Sequence, residues 1–484
     1  MINSIQQFQT KGVKNLTEVF NCYTDDLTKF AEMVYGVTRE VTKLGLSIIE
    51  EELESYDRLL RERKDLRKGW YIERHDETKL LTSLGEICYH KTYFHNKETG
   101  EYCYLLDQLM GLEKHARISE DAEARILEEA VESSYRKGGI HASIGEQEVS
   151  KETVMNKLHA LTFPKLEPLH EKRKVKNLYI DADEDHVSLQ YLEKKGDIKK
   201  PRINTVMPKL IYVYEDVDFT GKKHVLKECH FFGGDYAGTE GTKELWGEVF
   251  DFIKDSYDEE VIEKIYINGD GADWIRTGAV MHGKARFVLD RFHMHKYIIA
   301  ATSHLKDSAQ DARNEIYKAI NGKQKWAAEK EFDKILGITE SETKAKAVEV
   351  AKNYILGNWA GIMESVRAKD KSLQCSAEGH VSHIYSDRMS SRPLGWCKTG
   401  ADKMARLRIY RQNERDFLEL VRYQKEELPM VVGGEDVIYS SSRILSSERK
   451  NKAKLGMLAD MPIYSIPYPQ IKKIAALKNH IWGL

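Results

Sequence analysis

Residues 177–190 read NLYIDADEDHVSLQ. An apolar run, Leu178-Tyr179-Ile180, meets Asp181, Asp183, Glu184 and Asp185, and alternation resumes at Val187 and Leu189. A strand that looks buried and ends in carboxylates has two physical readings. Either it leaves the core for a solvated turn, or it holds a metal ion, because like charges packed together away from water raise one another's pKa and are relieved by a cation.

Reading outward, the pattern from about 176 onward is α/β. Strands are expected near 176–183, 186–191, 209–214 and 224–232, followed by an amphipathic helix, ELWGEVFDFIKDSY. A strand, KIYINGD, a helix, ADWIRTGAVMH, and a strand, ARFVLD, come next. Three antiparallel-type strands followed by helix, strand, helix, strand is the order of a ribonuclease-H-like domain, an assignment by analogy of topology. In such a sheet the first and fourth strands are neighbours. Asp183, ending the first, and Asp270, ending KIYINGD, would then lie side by side, with Gly271 allowing a sharp turn. Glu378, in SAEGHVSH near a helix start, would come across from the helix after the fifth strand. On pattern alone Asp181, Asp183 and Asp185 are equal candidates, and a chain with 77 acidic residues holds such triples by chance.

The chemistry that needs such a cluster is phosphodiester cleavage or joining. Two Mg²⁺ ions about 4 Å apart stabilise the attacking and leaving oxygens in line. Mg²⁺ takes hard oxygen ligands and keeps several waters, so a few carboxylates and the substrate phosphate suffice.

The region before this core reads differently. Leu46, Ile49, Leu53, Tyr56 and Leu60 form one apolar helical stripe. Barely two heptads long, it is read as a helix packed on its own domain rather than a coiled-coil seam. The helix ends in the basic run RLLRERKDLRKGW, either a phosphate-facing surface or an exposed helical face. Residues 79–106 are aromatic and β-branched around Asn96-Lys97-Glu98-Thr99-Gly100, a β-hairpin signal. Two helices follow, the second opening at Ser150 with apolar positions Val154, Leu158 and Leu161. Helix, turn, helix is the outline of a DNA-reading motif with residues 150–160 as recognition helix, and Ser150, Lys151 and Lys157 as DNA contacts; two packed helices look the same.

Bulk composition narrows the class. With 484 residues, 41% hydrophobic and 31% charged, the chain can bury at least one sizeable core. No apolar run approaches a membrane span and the N-terminus has no apolar signal region, so a cytoplasmic protein is expected. Six scattered cysteines without a C-x-x-C pair fit a reducing compartment. The net charge of −2 offers no argument for nucleic acid. The pairs His380/His383 and His293/His295 lack a third ligand at suitable spacing, so zinc is not expected. Trp274 and Trp359 are read as core aromatics, with base stacking as the alternative.

Taken together, LYIDADEDHVSLQ, YINGDGADWI, FVLDRFHMHKYI and CSAEGHVSHIYSDRMSSRPLGW resemble the ISLre-type family of bacterial insertion-sequence transposases, itself similar to the Mutator-like group of DDE transposases. The resemblance runs over most of the chain and is strongest from about 176 to 408. It implies a ribonuclease-H-like catalytic domain, a catalytic and metal-binding triad of Asp183, Asp270 and Glu378, and Mg²⁺ with Mn²⁺ as substitute. Asp183 matches the first position by standing four before Val187. The long separation of Asp270 from Glu378 fits a helical insertion of the Mutator-like kind. Asp290-Arg291-Phe292-His293 is similar to a D-x-x-H signature, making Asp290 auxiliary and His293 a contact near the scissile DNA. Arg388 and Arg392, with Ser390 and Ser391, are read as phosphate contacts, Arg forks suiting phosphate oxygens.

The resulting expectation is an α/β ribonuclease-H-like catalytic domain with a helical insertion, preceded by a mainly helical region with a β-hairpin. Its segments are 1–75 helical, 76–170 hairpin and helix-turn-helix-like, 171–296 core, 297–374 insertion, 375–425 last core helix and 426–484 tail. The expected partners are double-stranded DNA, namely terminal inverted repeats and target, and a second copy of the chain, since two ends must be brought together. A nuclease that cuts without joining and a catalytically idle DNA-binding derivative are the alternatives.

Overall fold

The computed structural model describes residues 3–145, 147–191, 204–221, 224–368, 370–374, 377–391 and 395–426. The tail from 427 and Arg392 lie outside the described residues. The chain is mixed α/β and divides into two compact units. The first comprises residues up to 129, 136–151 and, from 421, the end of the last described helix; the second comprises 130–135 and 152–420.

In the first unit, helices α1 (Val13–Asp25) and α2 (Phe30–Glu62) precede a three-stranded antiparallel sheet of β1 (Trp70–Leu81), β2 (Glu86–Asn96) and β3 (Tyr102–Tyr104). The stripe Leu46, Ile49, Leu53, Tyr56 and Leu60 packs against Leu80, Ile87, Tyr89, Phe94 and Leu106. α2 therefore serves its own domain, as its short repeat implies. Asn96–Gly100 turns β2 into β3, where the hairpin is expected. β1 is the strand that pattern reading places partly in the helical region. Its first half is largely exposed, so it carries no apolar alternation to read.

α2 also closes an edge. β3 pairs with β2 only at Tyr93–His95, leaving the amides of Cys88, His90 and Thr92 without a strand partner on that side. Three carboxylates spaced along α2 take them. Glu50 accepts from Cys88 N at 2.7 Å, Glu54 from His90 N at 3.2 Å, and Asp57 from Thr92 N and Thr92 Oγ1, both at 2.7 Å. Of the basic run around the end of α2, Arg67 is buried just beyond the helix and donates to the carbonyls of Leu60 (2.9 Å) and Arg61 (3.1 Å), terminal acceptors of α2, and of Trp70 (2.6 Å), while Arg58, Lys64 and Lys68 stay exposed. Helix α3 (Glu120–Glu132) starts with the expected acidic turn. Helix α4 (Lys151–Ala160) buries Val154 and Leu158, with Leu161 just beyond it.

The second unit is built on a five-stranded sheet. β4 (Asn177–Glu184), β5 (Lys209–Tyr214), β6 (His230–Gly234), β7 (Lys264–Gly269) and β8 (Ala285–Leu289) lie in the order β6-β5-β4-β7-β8. β5 is antiparallel to both its neighbours; β4, β7 and β8 run parallel. Helices α5 (Gly238–Ser256) and α6 (Asp273–Met281) connect β6 to β7 and β7 to β8. Leu178, Ile180, Ala182, Ile211, Val213, Ile265 and Ile267 form a core with Leu245, Trp246, Val249 and Ile253 of α5 and Ile275 of α6. The central strands read as near-continuous apolar runs because both faces of this sheet are covered.

After β8 the chain is helical: α7 (Arg291–Thr302), α8 (Ala309–Asn321), α9 (Lys325–Ile338), α10 (Glu342–Gly357) and α11 (Trp359–Ala368). These share a second core of Ile298, Ile316, Phe332, Ile335, Val348, Ile355 and Ile362. The short α12 (Ala377–Val381) packs on β4, and α13 (Lys398–Gln412) packs on β6.

Candidate active site

Because β4 and β7 are hydrogen-bonded neighbours running parallel, with Asn268 opposite Asp181, their ends bring Asp183 and Asp270 into one place. Asp183 is pushed up to about 7, first by burial and then by the negative charges of Asp270 and Glu184, against the amide of Glu184 and the positive pull of His293. The hydrogen bonds given to the two carboxylates are local: Glu184 N donates to Asp183 at 2.9 Å and Ala272 N to Asp270 at 2.8 Å.

The turn after β7 is held from the helical segment. Gly271 adopts φ +93°, and a Cβ there would stand 2.6 Å from Asn358 Oδ1, so both conformation and space demand glycine. Tyr354 OH donates to the Asp270 carbonyl at 2.5 Å. Arg276 donates to the Gly271 carbonyl at 2.9 Å and to Asn358 Oδ1 at 2.5 Å. Tyr354, Asn358 and Arg276 are site-supporting residues that pattern reading misses, since their distance along the chain gives no sign of convergence.

Asp290 ends β8 and caps α7, accepting from Phe292 N at 2.9 Å. Its other oxygen accepts from His293 Nδ1 at 3.1 Å. The D-x-x-H spacing is thus one helical turn: the cap and the orientation of the imidazole come from a single carboxylate. The Asp290 hydrogen bond raises the His293 pKa above its ordinary value, as do the charges of Asp290, Asp183 and Asp270, while burial opposes them. His293 is therefore electrostatically joined to the Asp183–Asp270 pair.

Asp181, indistinguishable from Asp183 in pattern, is wholly buried. It accepts from Tyr212 OH at 2.6 Å and Tyr214 OH at 3.3 Å, and burial raises its pKa to about 7. Asp185 accepts from Ser390 Oγ at 2.7 Å. Glu184 accepts from the Trp274 indole N–H, and burial raises its pKa.

Glu378 stands exposed in the first turn of α12 and is not among the groups acting most strongly on Asp183. Among the described residues no three His, Cys, Asp or Glu side chains converge as a metal-ligating group. A pair of carboxylates is a suitable donor set for Mg²⁺, which binds through one or two carboxylates plus substrate oxygens. Arg388 donates to the Ala130 carbonyl at 3.4 Å and lies 5.0 Å from the Trp396 ring centroid, so here it braces the loop. Ser150 and Lys151 are exposed and Lys157 is half-buried on α4.

The geometry can be set beside known proteins. The family described as Uncharacterised protein family (UPF0236) matches residues 23–427. The chain belongs to UPF0236. Within that family, UPF0236 protein TTE2489 of Caldanaerobacter subterraneus subsp. tengcongensis is 36% identical over 417 residues, covering 86% of this chain and 86% of the relative. UPF0236 protein TTE0402 of the same organism is also 36% identical over 417 residues, covering 86% and 80%. A further UPF0236 relative there, 36% identical over 416 residues, carries eleven locus designations in its one name. The UPF0236 match spans Asp183, Asp270, His293 and Glu378 alike. Among solved structures, the Drosophila P element transposase strand transfer complex aligns with a TM-score of 0.25 and 12% identity, covering 66% of this chain and 83% of that one. A likeness that slight carries no argument about this chain.

Proposed function

We propose that this protein is a DDE-type DNA transposase of the ISLre kind, with a ribonuclease-H-like catalytic sheet. The observation that carries the reading is the meeting of Asp183 and Asp270 at the ends of adjacent parallel strands, with His293 held beside them by Asp290. The strand order, with the second strand alone antiparallel, supports the ribonuclease-H-like assignment. A relative recorded at eleven loci of one genome supports a mobile element.

In this reading Asp183 and Asp270, with Glu378 supplied from α12, would hold Mg²⁺ or Mn²⁺, and the chemistry so supplied would be activation of the attacking oxygen and stabilisation of the leaving one. The chain's own residues do the rest. Asp290 engages Nδ1 of His293, so that Nε2 is the nitrogen left for a phosphate oxygen near the scissile bond. The clamp of Tyr354, Arg276 and Asn358 fixes the Asp270 turn, so the carboxylate needs no reorganisation when DNA binds. Water attacks the phosphodiester at the element's end, breaking its P–O3′ bond and leaving a 3′-hydroxyl on one side of the nick and a 5′-phosphate on the other; the freed 3′-hydroxyl then attacks a target phosphodiester, forming a new P–O3′ bond as a target 3′-hydroxyl leaves, with no covalent protein–DNA intermediate. Ser150 just before α4, Lys151 and Lys157 on it, and Arg392 are assigned to DNA, while Arg388 is engaged in bracing the loop. The partners are terminal inverted repeats, target DNA and a second copy of the chain. No helix among the described residues is long and apolar enough to cross a membrane, and the reading places the protein in the cytoplasm with the DNA.

The test is strand transfer. The purified protein, Mg²⁺ or Mn²⁺ and labelled duplex from the flanks of its own gene are incubated, with Asp183→Asn, Asp270→Asn and Glu378→Gln beside wild type. Joined products lost in all three variants with DNA binding retained are expected. Nicking without joining would make the protein a nuclease; binding with neither, equal in all four, would make it an idle DNA-binding derivative.

A further inference from the structure

Next to Asp183, on the other face of the sheet, a cleft of about 550 Å³ opens between β4, β5, α5 and α6. That size lies within the roughly 300–1,000 Å³ of small-molecule pockets. Its walls include Glu184, Lys209, Asp235, Trp274, Thr277 and Lys398. Trp274 forms an aromatic wall, half-buried and fixed by its indole N–H bond to Glu184. Lys209 is buried at the base, its ammonium donating to Tyr236 O at 2.7 Å and Thr242 Oγ1 at 2.6 Å and standing 5.2 Å from the Trp274 ring centroid. Donors and acceptors thus flank an aromatic wall.

We infer that this cleft receives one unstacked nucleobase of the bound DNA, adjacent to the phosphate held at Asp183 and Asp270. The inference rests on the transposase reading and deepens it. Three features select the ligand class. Glu184, which lines the cleft, is next to Asp183 at the end of β4, so a strand rounding that end passes from the Asp183–Asp270 pair to the cleft. A planar aromatic wall suits any base, whatever its identity. Glu184 and Asp235 with Lys209 and Lys398 give the cleft acceptors and donors in equal number, matching the mixed edge of a base, whereas a lone phosphate would meet two carboxylates together with the two ammonium groups. A base near a strand end also costs least to unstack.

The experiment uses the full chain and duplexes from the flanks of its own gene, carrying 2-aminopurine singly at each of the terminal positions. Unstacking raises the fluorescence of that base, and the reading needs binding but no chemistry. The expected result is a rise at one position with wild type, abolished by Thr277→Trp, which fills the cleft from the surface of α6. Trp274→Phe, which keeps a ring, retains the rise; Trp274→Leu loses it, with binding weakened roughly tenfold. Thr277→Trp should also recover strand joining on DNA that is abasic at that one position. Because a stacked indole quenches 2-aminopurine, the rise is sought with Trp274→Phe as well as wild type; no rise at any position with either, on DNA that both bind, overturns the inference, even if joining proceeds. A rise without nicking or joining would retain the cleft's role and sink the transposase reading.

Discussion

Two sets of carboxylates in this molecule lie within reach of a sheet and have opposite fates. On α2, Glu50, Glu54 and Asp57 each meet a backbone amide of β2 that has no strand partner on that side, and Asp57 accepts a hydroxyl as well. At the ends of β4 and β7, Asp183 and Asp270 accept, among the described residues, from backbone close by in sequence and stand near each other across parallel strands. The first set completes a fold; the second leaves negative charge to be completed by something else. Partners, rather than residue type or burial alone, separate a structural carboxylate from one available for chemistry. Asp181 shows this within one strand: two residues from Asp183, it is saturated by Tyr212 and Tyr214.

The comparison can be broken at either end. The largest expected effect is on activity: Asp183→Asn or Asp270→Asn should cut strand joining by about 1,000-fold or more. Thermal unfolding of both should stay at or above the wild-type midpoint, because a like-charge contact has been relieved. A matching fall in stability would mean that the pair is structural after all.

At the other end, Asp57→Ala should destabilise the first unit by about 3 kcal/mol, since it strands a buried amide and hydroxyl. Chemical denaturation monitored at Trp70, the tryptophan of the first unit among the described residues, reads this. Joining by the folded fraction should be unchanged.

Asp181 gives a pH signature. Its folded pKa, raised to about 7, lies above the ordinary carboxylate value of 3.8, so the folded state binds its proton more tightly than the unfolded chain. That contribution is complete below pH 4 and is lost as pH rises through 7. Asp181→Asn should therefore gain on wild type across that window, by up to about 4 kcal/mol. Unfolding curves at pH 4, 5.5 and 7 test the slope, and parallel curves would mean that the carboxyl is not protonated in the fold. The smallest effect is expected at Glu54→Gln, whose amide oxygen still accepts from His90 N: a change of about 0.5 kcal/mol or less in the same denaturation assay. A larger loss would show that the charge itself, through His90, holds the edge.

Sequence alone determined the elements whose signals are local. The apolar runs at 178–180, 210–214 and 265–267 dictate strands, the stripe from Leu46 to Leu60 dictates a helix against its own core, and Asn96–Gly100 dictates a turn. Pattern also pointed to carboxylates at two strand ends, while the choice of Asp183 and the Asp290–His293 spacing came from the resemblance to the transposase family. Tertiary structure alone decided which of Asp181, Asp183 and Asp185 stands beside Asp270, because that depends on which side chain meets the tyrosines of β5. It decided that Arg67, out of the basic run around the end of α2, caps carbonyls and that Arg388 braces Ala130 and Trp396. It also decided that Tyr354 and Asn358, far along the chain, clamp the Asp270 turn. Those choices rest on contacts between residues remote in sequence, and hydrogen-bond saturation at such contacts leaves no periodic trace in the chain.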